Sequence, residues 1–269
     1  LVGLGVEAAV FPLNSWLPDA HASAPSSISA ALSGFVIEVA LIVMIRVAGS
    51  VFQITQVFPA LMVVGVITLL IGEFAANRQP TLKRMLAYSS IGQIGLILFA
   101  LSVGTPDASS GALLQVINHA AAKSVLFLVA GYYILRTGSG RIEDFAGLGR
   151  KMPVASFLFV LAFLSLIGVP PLLGFFSKFA IITSALSAGT VASLFMAGLV
   201  LVGTVVEVVY FVRVMQILYS SRQQSVSIES GIPAGALVSI LLFSLAFAAG
   251  AAILTPLTQA AGSAAAVLF

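Results

Sequence analysis

The sequence predicts an all-α, polytopic transmembrane helix bundle with one discontinuous helix and an inverted-repeat architecture. Three observations lead there. Of the 269 residues, 60% are hydrophobic and 8% charged, against about 25% charged in a soluble domain. Mean hydropathy is +1.15, so a soluble fold would leave most of its surface apolar. Roughly seven stretches reach the ~20 mostly apolar residues of a spanning helix. They lie at 28–48, 54–77, 82–103, 111–136, 153–187, 190–219 and 232–255, with a partial span at 1–13. None shows two-residue alternation and all exceed the length of barrel strands. Only helices or closed barrels satisfy the backbone in lipid. Residues 1–255 therefore read as one transmembrane domain, and 256–269 as a C-terminal tail.

The elements follow in order. The first span opens on Leu1 and already reads as the end of an apolar segment, so an N-terminally incomplete domain is expected. FPLNSWLPDAHASAP, Phe11 to Pro25, holds three prolines after which a straight helix cannot continue. The stretch 153–187 is too long for one straight span and contains Gly168, Pro170, Pro171 and Gly174. Two half-helices joined by an unwound segment are expected there. Breaks at matching places in two halves mark transporters built from repeats. The connections alternate in charge. Arg78, Lys83 and Arg84 sit in one, Arg136, Arg141, Arg150 and Lys151 in the next but one, and Arg222 near 220–230. The connections at 49–53, 104–110 and 188–190 carry no Lys or Arg. The positive-inside rule places the basic loops on the cytoplasmic side of the cell (plasma) membrane.

Composition also excludes chemistry. The absence of cysteine removes disulfides, iron–sulfur clusters and thiolate catalysis. Two histidines without an HExxH pattern leave no basis for a metal site, and neither a catalytic centre nor a cofactor site is expected. A net charge of +3 with no basic run argues against nucleic acid.

Function is then expected from ionisable groups at membrane depth, which cost about 2.5–3.5 kcal/mol each on insertion scales. These are Glu7, Glu38, Glu73, His119, Lys123, Lys178, Glu207 and Arg213. His119 and Lys123 in NHAAAKSVLFLVAG are i and i+4, on one helix face. Lys123 is about 18 Å from either end of its span at 1.5 Å per residue, too deep to snorkel easily. A histidine beside a lysine can pass a proton along that face. Lys178, in GFFSKF, follows the predicted break. The N-terminal end of a half-helix meets it with the positive end of the helix dipole. Glu207 is expected to pair with Tyr210, with Arg213 or with another helix. Glu73 lies near its helix end, within reach of the interface. Glu38 is deeper.

FPLNSWLPDAHASAPSSISAALSG, TLKRMLAYSSIGQIG, NHAAAKSVLFLVAG and GVPPLLGFFSKF, in this order, resemble the antiporter-like subunits of respiratory complex I. The same motifs occur in Mrp cation/proton antiporters and membrane-bound hydrogenases. The resemblance implies inverted repeats of five helices, each with a broken helix, around a polar axis. It assigns His119, Lys123 and Lys178 to that axis. Glu7 and Glu38 stand where the family usually has lysines, which reverses the local charge. The implied function is a proton- or cation-translocating membrane subunit of a multisubunit oxidoreductase, moving H+ along His119, Lys123, Lys178, Glu38, Glu7 and Glu207. The implied partners are other membrane subunits, the lipid bilayer and protons, with no cofactor on this chain. Two alternatives stay open: an Mrp-type antiporter subunit exchanging Na+ or K+ for H+ without redox coupling, and a non-conducting scaffold.

Overall fold

The computed structural model describes residues 1–51, 55–221 and 259–263. The predicted span 232–255 and Arg222 lie outside them. The described residues are helical: α1 Val2–Glu7, α2 Trp16–Ser23, α3 Ser26–Ala31, α4 Ile37–Arg46, α5 Phe58–Asn77, α6 Leu82–Ser102, α7 Pro106–Thr137, α8 Leu148–Lys151, α9 Pro153–Ile167, α10 Leu173–Ser187 and α11 Val191–Leu218. A wider π-turn, Leu32–Val36, joins α3 to α4, so that Ser26–Gly49 forms one apolar span. Among the described residues, five helices are long and apolar enough to cross a membrane, and α9 and α10 are shorter apolar segments.

Packing follows side-chain size and polarity. Helix α6 is the hub, buried over almost its whole length between α5 and α7. On α5, a Cβ at Gly72 would sit 2.3 Å from the Gly92 amide nitrogen of α6, so only glycine permits that approach; small residues are the usual means of bringing membrane helices this close. Helix α11 divides cleanly. Gly203, Glu207, Tyr210 and Val214 are buried, while Phe195, Val202, Val205 and Val209 form an exposed apolar stripe suited to lipid.

The basic connections gather on one face. Leu82 N donates to Gly140 O and Ile142 N to Pro80 O, both at 3.0 Å, and Gly147 N donates to Ile217 O at 3.2 Å. The alternation in loop charge is therefore a true sidedness of the bundle. Both expected breaks are present, each containing a cis X–Pro peptide, Phe11–Pro12 and Pro170–Pro171. The first falls at 8–15, between α1 and α2; the second at 168–172, where Gly168 adopts φ +92°. The α1–α2 pair runs toward the basic face and α9–α10 away from it, the antiparallel relation that inverted repeats require.

Candidate functional site: a buried polar network

Helix α7 supplies one side of the network. Gln115, Asn118, His119, Ala122 and Lys123 are buried at three- and four-residue spacing, a single polar stripe in an otherwise apolar helix. His119 and Lys123 are fully buried. His119 Nδ1 shares a hydrogen bond with the Glu38 carboxylate of α4. Lys123 Nζ donates to the Leu86 carbonyl of α6 at 2.9 Å. The two residues share a face, as expected, but each is held by a different helix.

Further along α7 the bonds become continuous. Gln115 Nε2 donates to Gln93 Oε1 at 2.6 Å, and Gln93 Nε2 to Glu207 Oε1 at 2.7 Å. Glu207 Oε2 accepts from Lys178 Nζ at 2.6 Å. Ser177 Oγ donates to Gln115 Oε1. Asn118 Nδ2 donates to the Ser165 carbonyl at 3.3 Å, and Ser165 Oγ returns a bond to Asn118 Oδ1 at 2.6 Å. Five helices, α6, α7, α9, α10 and α11, thus contribute to one chain of bonds.

The break at 168–172 is what brings Lys178 into it. Helix α9 ends at Ile167 and leaves carbonyls without intrahelical partners. Lys178 Nζ donates to one of them, Ile167 O, at 3.3 Å. The positive helix end expected to meet Lys178 is not what its ammonium group contacts. Lys178 lies one turn inside α10, and its charge is answered by Glu207 and a carbonyl end rather than opposed by amides. For a desolvated ammonium, a carboxylate at 2.6 Å outweighs a dipole end.

Further expectations are changed or resolved. Glu73 does not reach the interface; it is buried, and its Oε2 accepts from Tyr210 Oη at 2.7 Å. Of the partners expected for Glu207, the one on another helix is found, Lys178 of α10, rather than Tyr210 or Arg213. Arg213 instead donates to the Asn77 and Gln79 carbonyls at 2.9 and 2.8 Å, capping the end of α5. Lys83 and Arg84 do more than mark topology. Lys83 Nζ donates to the carbonyl of Ala24 and Arg84 pairs with Asp19 at 3.1 Å, so the two clasp the turn after α2.

Of the expected translocation residues, the structure unites Glu38 with His119 and Lys178 with Glu207, and buries Lys123 one turn beyond His119 on α7. Glu7, at the end of α1, is exposed and stands apart. Gln93, Gln115, Asn118 and Ser177 carry no expectation from sequence, and Glu73 and Tyr210 are named there with other placements or partners. The signal for Gln115 and Asn118 was present, as polar residues at helical spacing from His119 and Lys123. At the end of α7 and α10 away from the basic face, a cleft of about 490 Å³ is lined by Asp107, Ser110, Leu114, Phe176 and Thr183. Leu114 and Phe176 are the chain neighbours of Gln115 and Ser177.

Comparison with known proteins matches this architecture. Residues 1–207 match the model of the NADH:quinone oxidoreductase/Mrp antiporter transmembrane family. NADH-quinone oxidoreductase subunit N of Desulforudis audaxviator is 40% identical over 242 residues, which cover 88% of this chain and 48% of that protein. A hydrogenase-4 component F homolog of Methylacidiphilum infernorum is 35% identical over 193 residues, 69% of this chain and 40% of that protein. Among solved structures, a chain of the archaeal membrane-bound sulfane sulfur reductase superposes with a TM-score of 0.89 at 34% identity, over 99% of this chain and 54% of its own. A chain of the Mrp complex from Dietzia sp. DQ12-45-1b gives 0.89 at 24% identity, over 99% of this chain and 58% of its own, and shows the shared fold. The chain spans about half the length of the relatives it matches.

Proposed function

We propose, because this chain belongs to the NADH:quinone oxidoreductase/Mrp antiporter transmembrane family, that it carries protons through the membrane arm of a redox-driven multisubunit complex. One observation supports this above the rest: the buried polar stripe of α7 carries in order Gln115, bonded through Gln93 to the Lys178–Glu207 ion pair, then His119, which meets Glu38, and then Lys123. In the low-dielectric interior each such group feels the charge of the next. A proton arriving at His119–Glu38 disfavours the charged form of Lys123 and so favours release of the Lys123 proton. Separating Lys178 from Glu207 leaves a carboxylate that draws a proton toward it. Amides and hydroxyls of Gln93, Gln115, Asn118 and Ser177 hold these groups in register without adding charge.

Protons are the cargo in this reading because the interior groups are acids and bases held by each other, by amides and by hydroxyls. Among the described residues no cluster of three His, Asp or Glu could hold a metal ion. The basic loops face the cytoplasm, and the membrane is that of the cell. Glu38 and the exposed Glu7 serve the first half of the path. The driving reaction belongs to partner subunits, as the relatives named for NADH-quinone oxidoreductase and hydrogenase-4 imply.

The test is Lys123→Ala in the full-length subunit, assembled in its complex and reconstituted in vesicles. Proton flux is expected to fall by about 100-fold, the scale on which a positioned acid–base group acts, with assembly intact. Unchanged flux would sink the reading.

A further inference from the structure

His119 and Lys123 share a face of α7, yet each is bonded to a different helix, His119 to Glu38 of α4 and Lys123 to the Leu86 carbonyl of α6. That carbonyl oxygen has a second donor. Ser90 Oγ bonds it at 2.9 Å, the same distance as Lys123 Nζ, so hydroxyl and amine lie side by side on one acceptor. Ser90 Oγ is in turn 2.7 Å from Ser33 Oγ, 57 residues away in the chain. Both serines are fully buried. With the Ser90 proton on Leu86 O, Ser33 donates the bond that the two hydroxyls share.

Ser33 belongs to the wide turn Leu32–Val36, in which Ile37 N donates to Leu32 O five residues back. Residues five apart stack along such a turn, whereas in a regular α-helix they diverge by about 140°. The next stacked pair is Ser33 and Glu38, so this hydroxyl and the carboxyl group that meets His119 share one face. Neighbours one turn apart stand about 5–6 Å between Cβ atoms, within the swing of a glutamate side chain. The turn is also pressed against α7 at the matching level. A Cβ on Gly34 would lie 2.8 Å from Ser124 Oγ and 2.9 Å from the Ala120 carbonyl oxygen, and these residues are the chain neighbours of Lys123 and His119. Ser33 thus stands between Glu38 and Ser90, and Ser90 between Ser33 and Lys123.

We propose that Ser33 and Ser90 are the proton relay between the Glu38–His119 contact and Lys123. A hydroxyl both accepts and donates, whereas the Leu86 carbonyl only accepts and cannot pass a proton on. Once Lys123 has released its proton, a proton on the Glu38 carboxyl group passes to Ser33 Oγ and the Ser33 proton to Ser90 Oγ. The Ser90 proton turns from Leu86 O to the neutral amine beside it. Glu38–COOH and Lys123–NH2 become Glu38–COO− and Lys123–NH3+. Both hydroxyls end as they began, and charge is conserved. The Leu86 carbonyl then receives the new ammonium, and rotation of the two hydroxyls resets the relay.

This inference rests on the proton-carrying reading, and its test separates the two. Ser33→Ala and Ser90→Ala are made in the full-length subunit, assembled in its complex and reconstituted in vesicles, and proton flux is measured in H2O and in D2O. Each variant is expected to lower flux by about tenfold or more. Each is also expected to raise the H2O-to-D2O flux ratio above that of the parent, because the interrupted proton step becomes rate-limiting. The double variant is expected to lose no more than the weaker single one, since either serine breaks the same relay. If Ser90→Ala fails to assemble, Ser33→Ala, which leaves Leu86 and Lys123 untouched, decides alone. Parent flux in Ser33→Ala, or a loss of flux at the parent isotope ratio, would overturn the relay, even with Lys123→Ala still abolishing flux. Unchanged flux in Lys123→Ala would instead overturn the transport reading.

Discussion

The two helix breaks look alike in sequence and do different things. Both contain a cis X–Pro peptide, and both leave carbonyls at the end of a short helix. At 8–15 the Val6 carbonyl is taken by the Trp16 indole, Nε1 to O at 2.8 Å, and the Phe11 amide donates to Thr68 Oγ1 at 3.1 Å. These are neutral partners, and the nearby Glu7 is exposed. At 168–172 the Ile167 carbonyl is taken by Lys178, which is also bonded to Glu207. A break is therefore not a site in itself. It is an opening in the backbone hydrogen-bond ladder, and its use depends on whether a neutral or an ionisable side chain fills it.

The largest expected effect breaks the second arrangement. Lys178→Ala or Glu207→Ala strands a buried charge, and thermal unfolding of the full-length protein in detergent should register a loss of about 3–5 kcal/mol. The Lys178→Met/Glu207→Met double variant should recover most of that stability while proton flux in vesicles stays low. Recovery of flux as well would reduce the pair to a structural contact.

Next comes the space reserved for Glu73. A Cβ on Gly92 would collide with the Glu73 carboxyl group, so Gly92→Ala overpacks the α5–α6 contact, with an expected cost of about 1–3 kcal/mol by the same unfolding measurement. The matching change in α1 is Gly5→Ala, whose new methyl would lie an ordinary 3.5 Å from Leu13 Cδ1, and it should stay within about 0.5 kcal/mol of the parent. Equal costs would erase the distinction between the regions.

At the first break, Trp16→Phe removes one hydrogen bond to Val6 and should cost about 1 kcal/mol, leaving flux as it was. Loss of flux would give this break the role assigned to the other. The smallest effect is expected at the clasp beside it. Arg84→Ala removes an exposed pair with Asp19, worth about 0.2–1 kcal/mol in low salt and less in high salt.

Much of this molecule is legible without coordinates. Spans, breaks and the alternation of loop charge all follow from local runs of residues, because lipid imposes its demand on each segment separately. So do Lys123 and Lys178 as interior groups, since each stands in an apolar stretch too long to be anything but a span. Glu73 was misjudged for the same local reason. Its place near a helix end looked like an exit to the interface, and nothing in its own segment announces that α6 and α11 cover it.

The sequence by itself determined the class of fold, the boundaries of the described spans between residues 26 and 219 to within about five residues, and which side chains are anomalous in lipid. The tertiary structure alone decided who partners whom: His119 with Glu38 across 81 residues, Lys178 with Glu207 across 29, Tyr210 with Glu73 across 137. Hydropathy is a property of a segment and can be read from it. Pairing depends on how far each helix is rotated and how closely it approaches its neighbours, and that is settled by contacts such as Gly72 against Gly92, which belong to two segments at once.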